Sequence, residues 1–261
     1  GEPLVLGDAA HHALDEHQRF AAAYRDYLEI VREGDDVERI VGAGKIAMVL
    51  MLVSGFIADS IDVLREYHRR GIRVICPSHL SAVSWADSSC ELNDPPGLTD
   101  FGREVLHLSN ELGLVTDLAH INDRAFYEVL ELSRKPVTMT HTAVCALCPH
   151  WRCLTDDQIR ALADQGGVLG IAFAPFFIHP EAATIDRLVE HICYVAELVG
   201  VEHVAIGSDF DGLGTTPAVV PDVSQLPLLT QSMLAHGLSE AEVAQIWGGN
   251  FARLLQQTID P

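Results

Sequence analysis

The stretch His203–Gly212, HVAIGSDFDG, holds the most chemically suggestive change of character in the chain. Val204, Ala205 and Ile206 form a short apolar run without helical period, the pattern of a strand buried on both faces. The run turns polar at Ser208 and Asp209 and breaks at Gly212. An apolar strand ending in a carboxylate is how an α/β enzyme presents a reactive group at the C-terminal rim of its sheet. VTDLAH and VTMTH repeat the design and end in His120 and His141. Two imidazoles and a carboxylate at three strand ends form a donor set that suits a metal ion. Each residue taken alone reads equally as a satisfied polar group at a strand end.

Two other groups of potential ligands are weaker. Cys145, Cys148, His150 and Cys153 crowd into one stretch, but C-x-x-C-x-H-x-x-C lacks the spacing of a standard zinc finger. Small residues filling a tight loop are the better reading. His11, His12 and His17 fall in HHALDEH, where exposed residues in the first turn of a helix are expected.

The elements that must position these groups alternate along the chain. A helix is expected over residues 12–33, from Leu14, Phe20, Tyr24, Leu28 and Val31 at spacings mostly of three and four. Strands follow at Ile46–Val53, Arg73–Pro77, Leu114–Leu118, Val137–Thr140, Val168–Phe173 and Val204–Ser208. Between them lie helices Ile57–Arg70, Asp100–Leu112, Asp123–Arg134, Asp156–Gln165 and Ile185–Val199, with Thr99 and Thr155 as N-caps. Helices over 226–236, 240–246 and 250–258 close the chain. Such alternation predicts a parallel sheet with right-handed crossovers. With no linker or repeat, one domain over 1–261 is expected. A closed (β/α)8 barrel needs eight strands, and six are found; GEPLVLG is a candidate stub of another. Either the sheet is open, or a partner covers the gap, or the first part of a barrel lies outside this chain.

The 37 acidic and 17 basic residues leave a formal charge of -20, which argues against nucleic acid or an anionic membrane surface as partner. No basic start with a long apolar run opens the chain, and the most apolar segment, Ile46–Val53, falls far short of the ~20 residues that span a bilayer. A cytoplasmic protein without a membrane segment is the expectation. Six cysteines in a chain with 48% hydrophobic residues require no oxidising compartment.

From about Gly44 to Leu255 the chain resembles the membrane (renal) dipeptidase family, zinc peptidases of the amidohydrolase superfamily. The matching stretches are SHLSAVSWADSS, GLTDFGREV, LGLVTDLAHIND, PVTMTHTAVCAL with HWRCLTDDQI, HVAIGSDFDG and GGNFARLL, in the family's order and separations. The resemblance implies an α/β fold of the (β/α)8 TIM-barrel type and hydrolysis of a dipeptide or related small amide by metal-activated water. It implies that His120 and His141 hold a zinc ion. Asp209 then lies near the metal and handles the proton of the attacking water. His79 steadies the tetrahedral intermediate, and Arg152 grips the substrate's free carboxylate. A homodimer also follows from the resemblance. On this reading residues 1–43 diverge from the family and 226–261 are closing helices.

The ligand inventory departs from the family. No His-x-Asp triplet occurs before Gly44, and no acidic residue occurs from Gly44 to Ala58, where the family carries its zinc-bridging glutamate near Leu52–Gly55. Two zinc ions at close range repel without a carboxylate between them. One ion is therefore expected, held by His120, His141 and Asp209. Asp211 is expected to be secondary, a hydrogen-bond acceptor fixing its loop. Three readings stay open. One is a dipeptidase-like hydrolase. Another is a family member acting as a metal-poor isomerase or tautomerase through His79 and Asp209, or as a binding protein keeping the Arg152 pocket. The last is an ordinary dipeptidase whose opening segment is not in the chain shown.

Overall fold

The structure is a computed structural model that describes residues 6–94, 96–214, 216 and 218–259. The first five residues of the candidate strand stub lie outside these, and its last two begin a helix. The chain divides into two compact units, residues 1–135 with 255–261, and residues 136–254.

The first unit opens with α1 (Leu6–Ala23), β1 (Leu28–Ile30), α2 (Asp36–Gly42), β2 (Ile46–Met48) and β3 (Leu50–Leu52). It continues with α3 (Ile61–Arg70), β4 (Ile72–Ile75), α4 (Asp100–Leu112), β5 (Val115–Thr116) and α5 (Asp123–Leu132). All its strand pairs are parallel: β1 with β2, β3 with β4, and β4 with β5. Every residue of β4 is buried, Arg73 included. Leu64, Tyr67, Val105, Leu106 and Phe126 supply the helical side of this core.

The helix expected over 12–33 is corrected here. It ends at Ala23, a turn follows in which the N–H groups of Tyr27 and Leu28 both bond Tyr24 O, and Leu28–Ile30 is a strand. Leu28 and Val31 suggested a helical spacing, yet Leu28 opens a three-residue strand and Val31 directly follows it. Leu14 and Ala21 face the core, whereas Phe20 and Tyr24 are half exposed. Arg73 fixes the end of β1 from beneath. It is buried, and its guanidinium donates to the carbonyls of Arg32, His68 and Ile72 at 2.7–2.8 Å.

The second unit carries β6 (Thr138–Thr142), α6 (Asp156–Asp164), β7 (Val168–Ile171), α7 (Pro175–Ile178), α8 (Ile185–Val199) and β8 (Val204–Ile206). The strands form a parallel sheet in the order β6-β7-β8. Helices α9 (Leu226–Ala235), α10 (Glu240–Ala244) and α11 (Asn250–Ile259) follow, α11 running across the division between the units. Ile159, Leu162, Leu188 and Ile192 are buried, as are Val168, Leu169 and Ile171 of β7. Asn250 of GGNFARLL is buried and donates to Val201 O (2.7 Å) and Val204 O (2.8 Å), anchoring the entrance to β8.

Local chemistry accounts for the helix starts. Thr99 Oγ1 accepts from Gly102 N, and Thr155 forms a full capping box with Gln158, as the residue types predicted. Asn122 and Thr184 cap α5 and α8 in the same way. Among the described residues no helix is long and apolar enough to cross a membrane.

Candidate active site

In the first unit two loops carry candidate residues. His79 follows β4 and His120 follows β5, each four positions past the strand's last residue. The buried thiol of Cys76 joins the loops, lying 3.1 Å from Ser78 O and 3.2 Å from Ala119 O. Ser88 Oγ donates to His79 O (2.7 Å) and Ser89 N donates to His120 O (2.7 Å). These ties bring the two imidazoles together, with ring centroids 4.3 Å apart and planes tilted by 51°. His120 is buried and holds φ at +66°. A non-glycine residue in that region costs about 1–3 kcal/mol, and such strain clusters at functional sites. Asp87 is buried beside this loop, where its carboxylate accepts from Asn93 N, Gly97 N and Asn122 Nδ2.

The second unit carries His141, Arg152 and Asp209. His141 lies within β6, and its Nδ1 is 2.9 Å from Thr140 Oγ1. Arg152 sits on the loop between β6 and α6. Its Nη2 donates to His141 O (3.4 Å), its guanidinium lies 5.6 Å from the centroid of Phe177, and its own carbonyl accepts from Thr142 Oγ1 (2.6 Å). Two carboxylates that follow it in sequence are engaged with other residues: Asp156 accepts from Tyr194 Oη, and Asp157 faces Arg160. Burial and the neighbouring Arg152 charge hold His150 below the usual imidazole range.

Asp209 follows β8 with φ at +56°. A Cβ at Gly212 would fall on Asp209 Oδ1, so any larger residue there would displace that carboxylate. Asp211 also holds a left-handed backbone (φ +64°), but its carboxylate accepts no hydrogen bond among the described residues, contrary to the loop-fixing role expected of it.

The cysteine loop behaves as packing. Cys148 Sγ lies 3.5 Å from Phe176 O, and Cys153 Sγ 3.9 Å from Phe177 O. Burial, with the Cys148 and Cys145 thiols close by, pushes Cys153 up to about 12. Among the described residues no three His, Cys, Asp or Glu side chains are gathered to hold a metal ion. In chemistry the donor set of His120, His141 and Asp209 fits one zinc-type ion, through two imidazoles and a carboxylate.

A model of the membrane dipeptidase family, peptidase family M19, matches residues 8–260. The chain belongs to this family. A dipeptidase of Claviceps purpurea, tcpJ, is 34% identical over 98% of this chain and 63% of its own length. A dipeptidase of Aspergillus oryzae, aclJ, is 35% identical over 76% of this chain and 48% of its own length. The chain thus spans less than two thirds of these curated relatives. Among solved structures, the probable dipeptidase PvdM from Pseudomonas aeruginosa superposes with a TM-score of 0.90 at 24% identity, covering 97% of this chain and 80% of that one. A metallopeptidase from Rhodobacter sphaeroides, liganded with a phosphinate mimic of the dipeptide L-Ala-D-Ala, gives 0.86 at 26% identity, with 94% and 72% covered. The fold is accordingly α/β of the TIM-barrel type found in the amidohydrolases. The family match includes residues 8–43 as well as the span carrying the motifs.

Sequence reasoning assigned no role to Thr140 or Cys76. Nothing in a one-dimensional pattern marks them, since Thr140 precedes His141 on a strand where neighbours normally face opposite ways.

Proposed function

We propose that this chain carries the site of a metal-dependent, dipeptidase-like hydrolase that cleaves a dipeptide or related small amide bearing a free carboxylate. One observation carries the reading. His79, His120, His141 and Asp209 each lie within, or no more than four residues past, the C-terminal end of a parallel strand. That end is where (β/α)8 enzymes keep their chemistry. Family membership and the dipeptide mimic bound by the R. sphaeroides peptidase support the substrate class.

His120, His141 and Asp209 would hold a single zinc ion, whose charge makes a water acidic enough to react near neutral pH. Asp209 takes the proton of the attacking water and passes it to the leaving amine. His79 donates a hydrogen bond to the oxygen that becomes negative as the carbonyl is attacked. Arg152 offers two parallel N–H groups to the substrate carboxylate, which fixes the scissile bond. Metal content by elemental analysis, and turnover of a dipeptide panel with and without added zinc, test this directly. Zinc-dependent turnover that Asp209→Asn reduces by ~100-fold or more is the expected result. Zinc-independent turnover, or none, refutes it.

A second reading has its own support in the missing acidic residue between Gly44 and Ala58. On that reading His79 and Asp209 act without metal in a proton transfer, or the Arg152 pocket binds a carboxylate ligand without turnover. Binding of a dipeptide that is never cleaved, at any zinc concentration, favours it.

A further inference from the structure

β6 departs from regular pairing at the residue assigned to the metal. Met139 is paired with Leu169 and Thr142 with Ile171, so Thr140 and His141 together oppose Gly170 alone. This is a β-bulge, which turns side chains away from the directions the pleat would give them. On a regular strand, successive side chains point to opposite faces and cannot bond each other. Here Thr140 Oγ1 and His141 Nδ1 are 2.9 Å apart. The bulge makes that contact possible.

Two glycines make the bulge possible in turn. The Thr140 carbonyl oxygen occupies the place that a Cβ on Gly170 would take, and equally that of a Cβ on Gly207. Gly170 lies in β7, and Gly207 directly follows β8, where its N–H donates to Ile171 O at 3.0 Å. The slot for the Thr140 carbonyl is thus formed by Gly170 of β7 and by Gly207 just past β8.

We propose that Thr140, seated in the Gly170–Gly207 slot, is a positioning residue for His141. Its hydroxyl oxygen accepts a hydrogen bond from Nδ1–H and so leaves Nε2 as the nitrogen that binds metal. The inference rests on the reading of His141 as a ligand. An imidazole whose far nitrogen is tied down loses less freedom on ligation and is the better donor.

The test uses the full chain and zinc alone, titrated against a chromophoric chelator. The ring nitrogens of His141 are observed by NMR in the metal-free protein. Thr140→Val keeps the β-branched shape and removes the hydroxyl, and Thr140→Ser restores it. Thr140→Val should weaken zinc binding by about 10-fold or more, while Thr140→Ser stays within about 2-fold of the parent. In the metal-free protein Thr140→Val should move the His141 proton from Nδ1 toward Nε2. Wild-type zinc affinity together with an unchanged ring in Thr140→Val overturns the proposal. Thr140→Ala takes its place should the valine variant fail to fold. His141→Ala separates the two levels: unchanged zinc affinity there sinks the ligand assignment, and the metal-free ring measurement still decides the role of Thr140.

Discussion

Asp209 and His120 share a left-handed backbone although neither is glycine. Asn tolerates that region as well as Asp does, so Asp209→Asn should leave thermal stability nearly unchanged while turnover collapses. A matching loss of both, read by melting and by kinetics, would make Asp209 a structural residue. Arg152 invites a different comparison. Arg152→Ala should raise KM for dipeptides with a free carboxylate by ~10-fold or more and have little effect on amidated ones, because bonds to an ionised carboxylate contribute about 1.5–3 kcal/mol. Equal effects on the two substrate sets would dismiss the clamp.

The loop between β6 and α6, which carries Arg152, is held to α7 and α8 by one buried side chain. His191 Nδ1 accepts from Val144 N (3.1 Å), which leaves its Nε2–H to donate to Ile178 O (3.0 Å). Burial holds this imidazole below the usual range. As pH falls below ~6.5, the unfolded chain takes up a proton that the folded ring refuses. The stabilisation from the neutral ring is complete above that pH and is lost as pH falls toward the folded value. His68 and His150, depressed chiefly by burial as well, act in the same direction. His191→Phe should therefore flatten, without abolishing, the fall in Tm between about pH 7 and pH 5. It should also cost about 1–3 kcal/mol at neutral pH by orphaning the Val144 N–H. An unaltered pH slope would remove His191 from this role.

Across the whole molecule the charge of -20 sets a long-range repulsion against compaction. Its range shrinks from ~30 Å at ~10 mM salt to ~8 Å at ~150 mM. Tm should consequently rise by a few degrees over that interval in an inert salt such as sodium chloride. A fall in Tm would mean that attractive pairs such as Arg39 with Glu29 and Asp36 outweigh the net repulsion.

Much of this protein is determined by local sequence alone. Thr99 and Thr155 start helices because their hydroxyls satisfy N–H groups three residues away, a relation contained within one turn. The starts and ends of α4 and α8 follow from such signals, and the family motifs carry His79, His120, His141, Arg152 and Asp209 in readable order. Only tertiary structure decided the rest. Leu28–Ile30 is a strand because Ile46–Met48 lies beside it, and that pairing outweighs a helical spacing shared by two residues. Thr140 reaches His141 because Gly170 in β7 and Gly207 just past β8 leave room for its carbonyl. A side chain's direction on a bulged strand depends on what its neighbours lack, and that information is distributed over segments far apart in the chain.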